Sequence, residues 1–130
     1  MRIFLRVTSI VLFALLGAFL LWFGWVYATV ENLLSFHAAA VPEEARSEVR
    51  PLYLALMNLI GGSSIGLGAL GLFVTFTRIW RGDLKAAVCL SLAYATPFSM
   101  AAATAEKLAE TGAPTSWHIM GVLLAATAIA

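Results

Sequence analysis

The sequence predicts an all-α polytopic membrane protein, with four transmembrane helices in an antiparallel bundle and a short extracytoplasmic amphipathic helix between the first two. Three observations carry this reading. Hydrophobic residues fill 62% of the 130 positions and charged residues only 12%, against roughly 25% charged in soluble domains. The 15 charges are confined to residues 1–6, 31–51, 78–85 and 106–110, leaving the uncharged runs Val7–Val30, Leu52–Thr77, Ala86–Ala105 and Thr111–Ala130. Each run holds at least 20 residues, about what a helix needs to cross ~30 Å of hydrocarbon. None shows the period-2 alternation of barrel strands, so helices must satisfy the backbone polar groups in lipid. A single domain is expected over 1–130, with helices at about 3–30, 52–77, 85–110 and 115–130 and an outer loop at 31–51.

The first segment begins with a basic stretch, Met1–Arg6, and ends in Trp22, Phe23, Trp25 and Tyr27, aromatics suited to the headgroup level. Its 24-residue apolar run exceeds the 7–15 residues of a secretory signal, so a retained helix is expected rather than a cleaved one. The loop that follows contains Leu33-Leu34-Ser35-Phe36-His37, apolar enough to lie at the interface, and then Val41-Pro42-Glu43-Glu44. Proline suits a first helical position and the two acids suit a first turn, which predicts a surface helix from Pro42 to Arg50.

The second segment is glycine-rich. Gly62 and Gly66 form a small-xxx-small pair, and Gly61, Ser64, Gly68, Gly71 and Thr75 recur at alternating steps of three and four, so small residues line one whole face. Lipid offers no hydrophobic drive between helices, so small side chains act by letting backbones approach. Three uses are open: packing within the bundle, a homodimer seam, or the floor of a groove for a flat ligand. The basic turn Arg78–Lys85 then makes the second and third segments a hairpin. Pro97 is expected to kink the third segment, whose Ser99 and Ala101–Ala103 favour close packing. Gly112 is expected to stop that helix, with Pro114 beyond. A cap at Thr115 or Ser116 leaves Trp117–Ala130, about 21 Å of helix. That is short of a span, which implies a chain cut before its natural end, an earlier start to the helix, or a locally thinned membrane.

Charge sets the expected orientation. A cytoplasmic N-terminus puts Arg2, Arg6, Arg78, Arg81 and Lys85 inside with Asp83 as the lone acid there, and both termini in the cytoplasm of a bacterial inner membrane. A net charge of +1 without a basic face excludes nucleic acid as a partner. The single cysteine, Cys89, excludes an intrachain disulfide and the paired-thiol membrane enzymes, and it suits packing between helices.

The remaining polar residues gather toward the outer end. Asn58 lies about 10 Å into the second segment, where an amide serves either as interhelical glue or as part of a site. Glu106 and His118 flank the last outer turn and are candidates for an acid–base pair. With Asn58 they are the catalytic candidates, and Trp22, Trp25 and Trp117 are the candidates for lining a ligand cavity. No cofactor is expected. Haem through His37 and His118 requires matched depth in the bundle, and His37 is in a loop. No metal site is expected, since His118 and Met120 at i, i+2 face different directions. The first segment lacks the membrane-embedded acid of small four-helix proton-coupled exporters, and no hydrolase, zincin, Walker or dinucleotide pattern occurs.

This layout, with its helical first loop, glycine-rich second helix and tight basic turn, resembles the small four-helix bacterial inner-membrane proteins to which the DoxX-like families belong. The resemblance covers most of the chain, implies a fold, and transfers no site residues. The first expectation for function is therefore a non-enzymatic membrane protein that packs as a homo-oligomer or as an accessory subunit of a larger membrane complex. The alternative is an outer-leaflet binder or isomerase of a lipid, quinone or isoprenoid, with Trp22, Trp25, Asn58, Glu106, Trp117 and His118 around one cavity.

Overall fold

The computed structural model describes residues 2–130; Met1 and the side chains of Arg2 and Ile3 lie outside the described part, so the expected placement of the Arg2 charge does too. The described chain is all-helical: α1 (Arg2–Ala28), α2 (Ser35–Ala38), α3 (Arg46–Thr77), α4 (Leu84–Glu110) and α5 (His118–Ile129), with 3-10 turns at Glu43–Ala45 and Ile79–Arg81. Three helices, α1, α3 and α4, are long and apolar enough to cross a membrane. The fourth apolar helix, α5, has 12 residues and a length of about 18 Å.

The loop between α1 and α3 departs from the expected surface helix. Pro42 precedes a 3-10 turn, and the helix that begins at Arg46 runs unbroken through Pro51 to Thr77. Pro51 is only the sixth residue of α3. The carbonyl it leaves without a donor belongs to Ser47, in an exposed first turn open to solvent. At 32 residues α3 is about 48 Å long, more than the ~30 Å of a hydrocarbon core, and its charged first turns hold the loop. Arg46 donates to the carbonyls of Val41 and Ala38, at 3.2 and 2.9 Å, and Arg50 to that of Glu31, at 3.0 Å. The Tyr53 hydroxyl accepts from the Leu34 amide at 3.2 Å and shares a hydrogen bond of 2.8 Å with His37 Nδ1.

The basic turn is specified residue by residue. Gly82 takes φ +86°, a conformation that costs other residues about 1 kcal/mol or more. The amides of Gly82 and Asp83 then reach back to the carbonyls of Ile79 and Arg78, closing a Schellman motif. Asp83 caps α4 by accepting from the Ala86 amide at 3.1 Å. Gly112, at φ +85°, ends α4 in the same way: the amides of Gly112 and Ala113 return to Ala109 and Leu108. The expected stop at Gly112 is therefore observed. Thr115, expected as a cap, instead donates its hydroxyl to Ala105 of α4 at 2.9 Å, and α5 starts after Trp117 without a side-chain cap. Thr115 spends its hydroxyl on holding the loop to α4.

The most extensive helix contact is α1 with α3, followed by α4 with α5, whereas α3 and α4 touch little beyond their shared turn. The core is formed by Ile10, Phe13, Leu16 and Leu20 of α1, Ile79 of the turn, and Leu90, Tyr94 and Phe98 of α4. Met120, Leu123 and Leu124 of α5 pack against its margin.

Candidate functional site

The small residues of α3 occupy two faces. Gly61, Gly68, Gly71 and Thr75 are buried and Ser64 is half-buried. Against this face lies α1. A Cβ on Gly61 would meet the backbone of Ala28 and, at 2.6 Å, the Gly24 carbonyl; one on Gly68 would lie 2.8 Å from the Gly17 carbonyl. Gly24 thus faces Gly61 and Gly17 faces Gly68, so α1 and α3 run antiparallel with both backbones at the seam. Ordinary van der Waals distance there leaves no room for a side chain, and the attraction is summed dispersion. The seven-residue step from Gly17 to Gly24 matches the step from Gly61 to Gly68. That match was the available signal for the partner of the buried face, and a reading confined to the second segment missed it.

Tyr94 closes the seam from α4. It is fully buried beside Phe13 and Phe98, with ring centroids 6.3 Å from each. Its hydroxyl lies over Gly71, in space that a Cβ would need, and within 3.0 Å of where a Cβ on Gly17 would sit. Among the described residues no hydrogen-bond partner meets that hydroxyl, and Thr75 takes the nearby Gly71 carbonyl at 2.7 Å. Tyr94 acts as a shaped plug, and nothing in its pattern within the third segment distinguished it from the other large residues there.

The other face of α3 is open. Gly62 and Gly66 are exposed, and a Cβ on either would have nothing within 4 Å. Asn58, one turn before Gly62, is exposed and makes no hydrogen bond with the rest of the described chain. Ala55 and Ala69 are exposed as well, and at 100° per residue they fall on the same strip. Ala55, Asn58, Gly62, Gly66 and Ala69 therefore form a band of small side chains with one amide, on the face of α3 turned away from α1.

The outer-end candidates do not converge. Trp22 and Trp25 are 62% and 66% exposed, Trp117 is 48% exposed, and Glu106 and His118 are exposed. His118 stacks on Trp117, with ring centroids 4.6 Å apart, and among the described residues Glu106 and His118 make neither an ion pair nor a hydrogen bond to one another. His37 is tied to Tyr53 in the loop, and burial lowers its pKa from the ordinary histidine value. Among the described residues no three His, Cys, Asp or Glu side chains gather as a metal site. Two concavities lie at the basic end instead.

No known protein family, curated protein or solved structure matches the chain. The DoxX-like resemblance thus stands on layout alone.

Proposed function

We propose that this is an integral membrane protein that works by lateral association, with a second copy of the chain packed on the open band of α3. The observation that carries the proposal is Asn58 with Gly62 and Gly66: an unpartnered amide beside two glycines that have space for another backbone. An amide in hydrocarbon is expensive without a partner. Asparagine offers both donors and an acceptor, so two copies related by a two-fold axis satisfy one another with the same residue. The flanking glycines supply the close approach that such a pair needs. An accessory role in a larger complex uses the same face with a different helix.

In this reading the chain forms a four-helix antiparallel bundle in a bacterial inner membrane, with α5 as a short fourth member. Both termini face the cytoplasm. The gathering of Arg6, Arg78, Arg81 and Lys85 at one end supports that orientation.

The test is energy transfer between differently labelled full-length copies in liposomes, with Asn58→Leu and the pair Gly62→Ile/Gly66→Ile. Loss of transfer in both variants, with helix content unchanged, is the expected result. Full transfer in both excludes this face.

A further inference from the structure

Because α3 and α4 touch little beyond their shared turn, a cleft opens between them. Leu67, Leu70 and Val74 form one wall, Ala86, Leu90 and Ala93 the other, and Arg78 stands at the mouth; the cleft measures about 290 Å³. We infer that this cleft holds one acyl chain of an anionic glycerophospholipid whose phosphate sits on Arg78.

The walls select a chain and the mouth selects a charge. Apart from Arg78 the lining carries no charged side chain, so a soluble anion gains nothing from the walls and a polar ligand loses hydrogen bonds along them. A lipid tail in the cleft only exchanges one apolar neighbour for another, since lipid supplies no hydrophobic drive. Preference among lipids therefore comes from the headgroup. The Arg78 side chain is 66% exposed, and its one ion pair among the described residues, Nε to Asp83 at 3.8 Å, is long. Most of its donor fork is left for a phosphate, the geometry guanidinium suits best. Trp80, Arg81 and Lys85 are exposed in the same turn, which marks this end as headgroup level and basic.

A second concavity at this end, about 230 Å³ and lined by Arg6, Val7, Ile10 and Trp80, repeats the pairing of an arginine with apolar walls. Arg6 also packs near Gly82, so both clefts border the same turn. Basic clefts between transmembrane helices at a membrane surface are where anionic headgroups are held, and an Arg in direct contact with the headgroup favours an anionic lipid by about fivefold.

The test uses the full-length chain in micelles doped with equal amounts of phosphatidylglycerol and phosphatidylcholine bearing identical tails, read by native mass spectrometry. The lipid retained in the α3–α4 cleft is expected to be phosphatidylglycerol over phosphatidylcholine by about fivefold or more. Arg78→Gln reduces that ratio about fivefold, whereas Arg81→Gln, whose side chain does not line the cleft, leaves it near the wild-type value. Ala93→Phe fills the cleft and removes the retained lipid of both kinds. Should that variant misfold, as circular dichroism would reveal, the Arg78 and Arg81 pair decides alone. The inference is overturned by equal ratios in Arg78→Gln and the wild type, by equal losses at Arg78 and Arg81, or by displacement of the lipid with inorganic phosphate. Disulfide formation between the Cys89 residues of two copies in a bilayer also overturns it, since Cys89 lines the cleft and its pairing would place protein there.

Discussion

Gly61 and Gly62 are neighbours in α3 with the same helix, depth and intrinsic propensity, yet they should respond to alanine with opposite signs. The propensity gain is shared and reaches at most about 1 kcal/mol. At Gly62 nothing lies within 4 Å of the added Cβ, so the gain stands. At Gly61 the Cβ meets the Ala28 backbone, the Gly24 carbonyl at 2.6 Å and the Ala28 Cα at 2.8 Å. These are backbone atoms of a continuous helix and cannot rotate aside. Restoring ordinary contact requires α1 and α3 to separate by roughly 1 Å, and a gap of that size forfeits a quarter to a half of each dispersion well along the seam. Overpacking of this kind costs about 1–3 kcal/mol. Gly61→Ala should therefore be less stable than Gly62→Ala by about 1–3 kcal/mol, and less stable than the wild type by up to about 2 kcal/mol once the shared gain is set against the overpacking. The assay is reversible unfolding in mixed micelles under sodium dodecyl sulfate, at a protein concentration where the chain is monomeric, followed by far-ultraviolet circular dichroism. Equal midpoints for the two variants, or a loss confined to Gly62→Ala, would refute the assignment of the two faces.

Further outcomes follow from the same geometry. Tyr94→Phe removes a buried hydroxyl that has no partner, so stability in the same assay should rise by about 1 kcal/mol; a loss of that size would mean the hydroxyl has a partner in the membrane. Asp83→Ala removes the α4 cap and should cost about 0.5–2 kcal/mol, and Gly82→Ala should cost about 1 kcal/mol for its left-handed backbone. Both are read from unfolding midpoints, and neutrality of both would contradict the described turn. For the loop, burial lowers the His37 pKa, so the unfolded loop binds a proton more readily than the folded one. Docking of residues 31–45 should be at full strength above the ordinary histidine pKa of about 6.5 and weaken as pH falls below it. Hydrogen exchange corrected for intrinsic rates should show this, and His37→Asn should abolish it; protection that stays flat from neutral pH to about pH 5 in the wild-type chain would count against the His37–Tyr53 link.

The long helices were legible because lipid makes hydropathy a direct readout of α1, α3 and α4, and Gly112 was legible because a left-handed stop favours glycine. The continuity of α3 through Pro51 was not. Proline is read as a breaker wherever its missing donor strands a carbonyl, and only the position of Ser47 at the water end removes that penalty. The glycine pattern of the second segment marked α3 as a small-residue helix but neither the division of its glycines between two faces nor their partners, because facing depends on another helix: Gly17 and Gly24 cover one face and leave Gly62 and Gly66 bare. The grouping of Glu106, His118 and the tryptophans at one end followed from their depth alone. Depth along a helix says nothing of azimuth, and the structure turns these side chains outward or onto one another, as Trp117 and His118 do.

The central claim is that the band of Asn58, Gly62 and Gly66 is where another copy docks. Single-molecule photobleaching of the labelled full-length chain in liposomes, over a range of protein-to-lipid ratios, tests it most directly. Two bleaching steps whose population grows with protein density, and is lost in Asn58→Leu, are the predicted result. Single steps at every density would contradict the claim, as would an undiminished two-step population in Asn58→Leu.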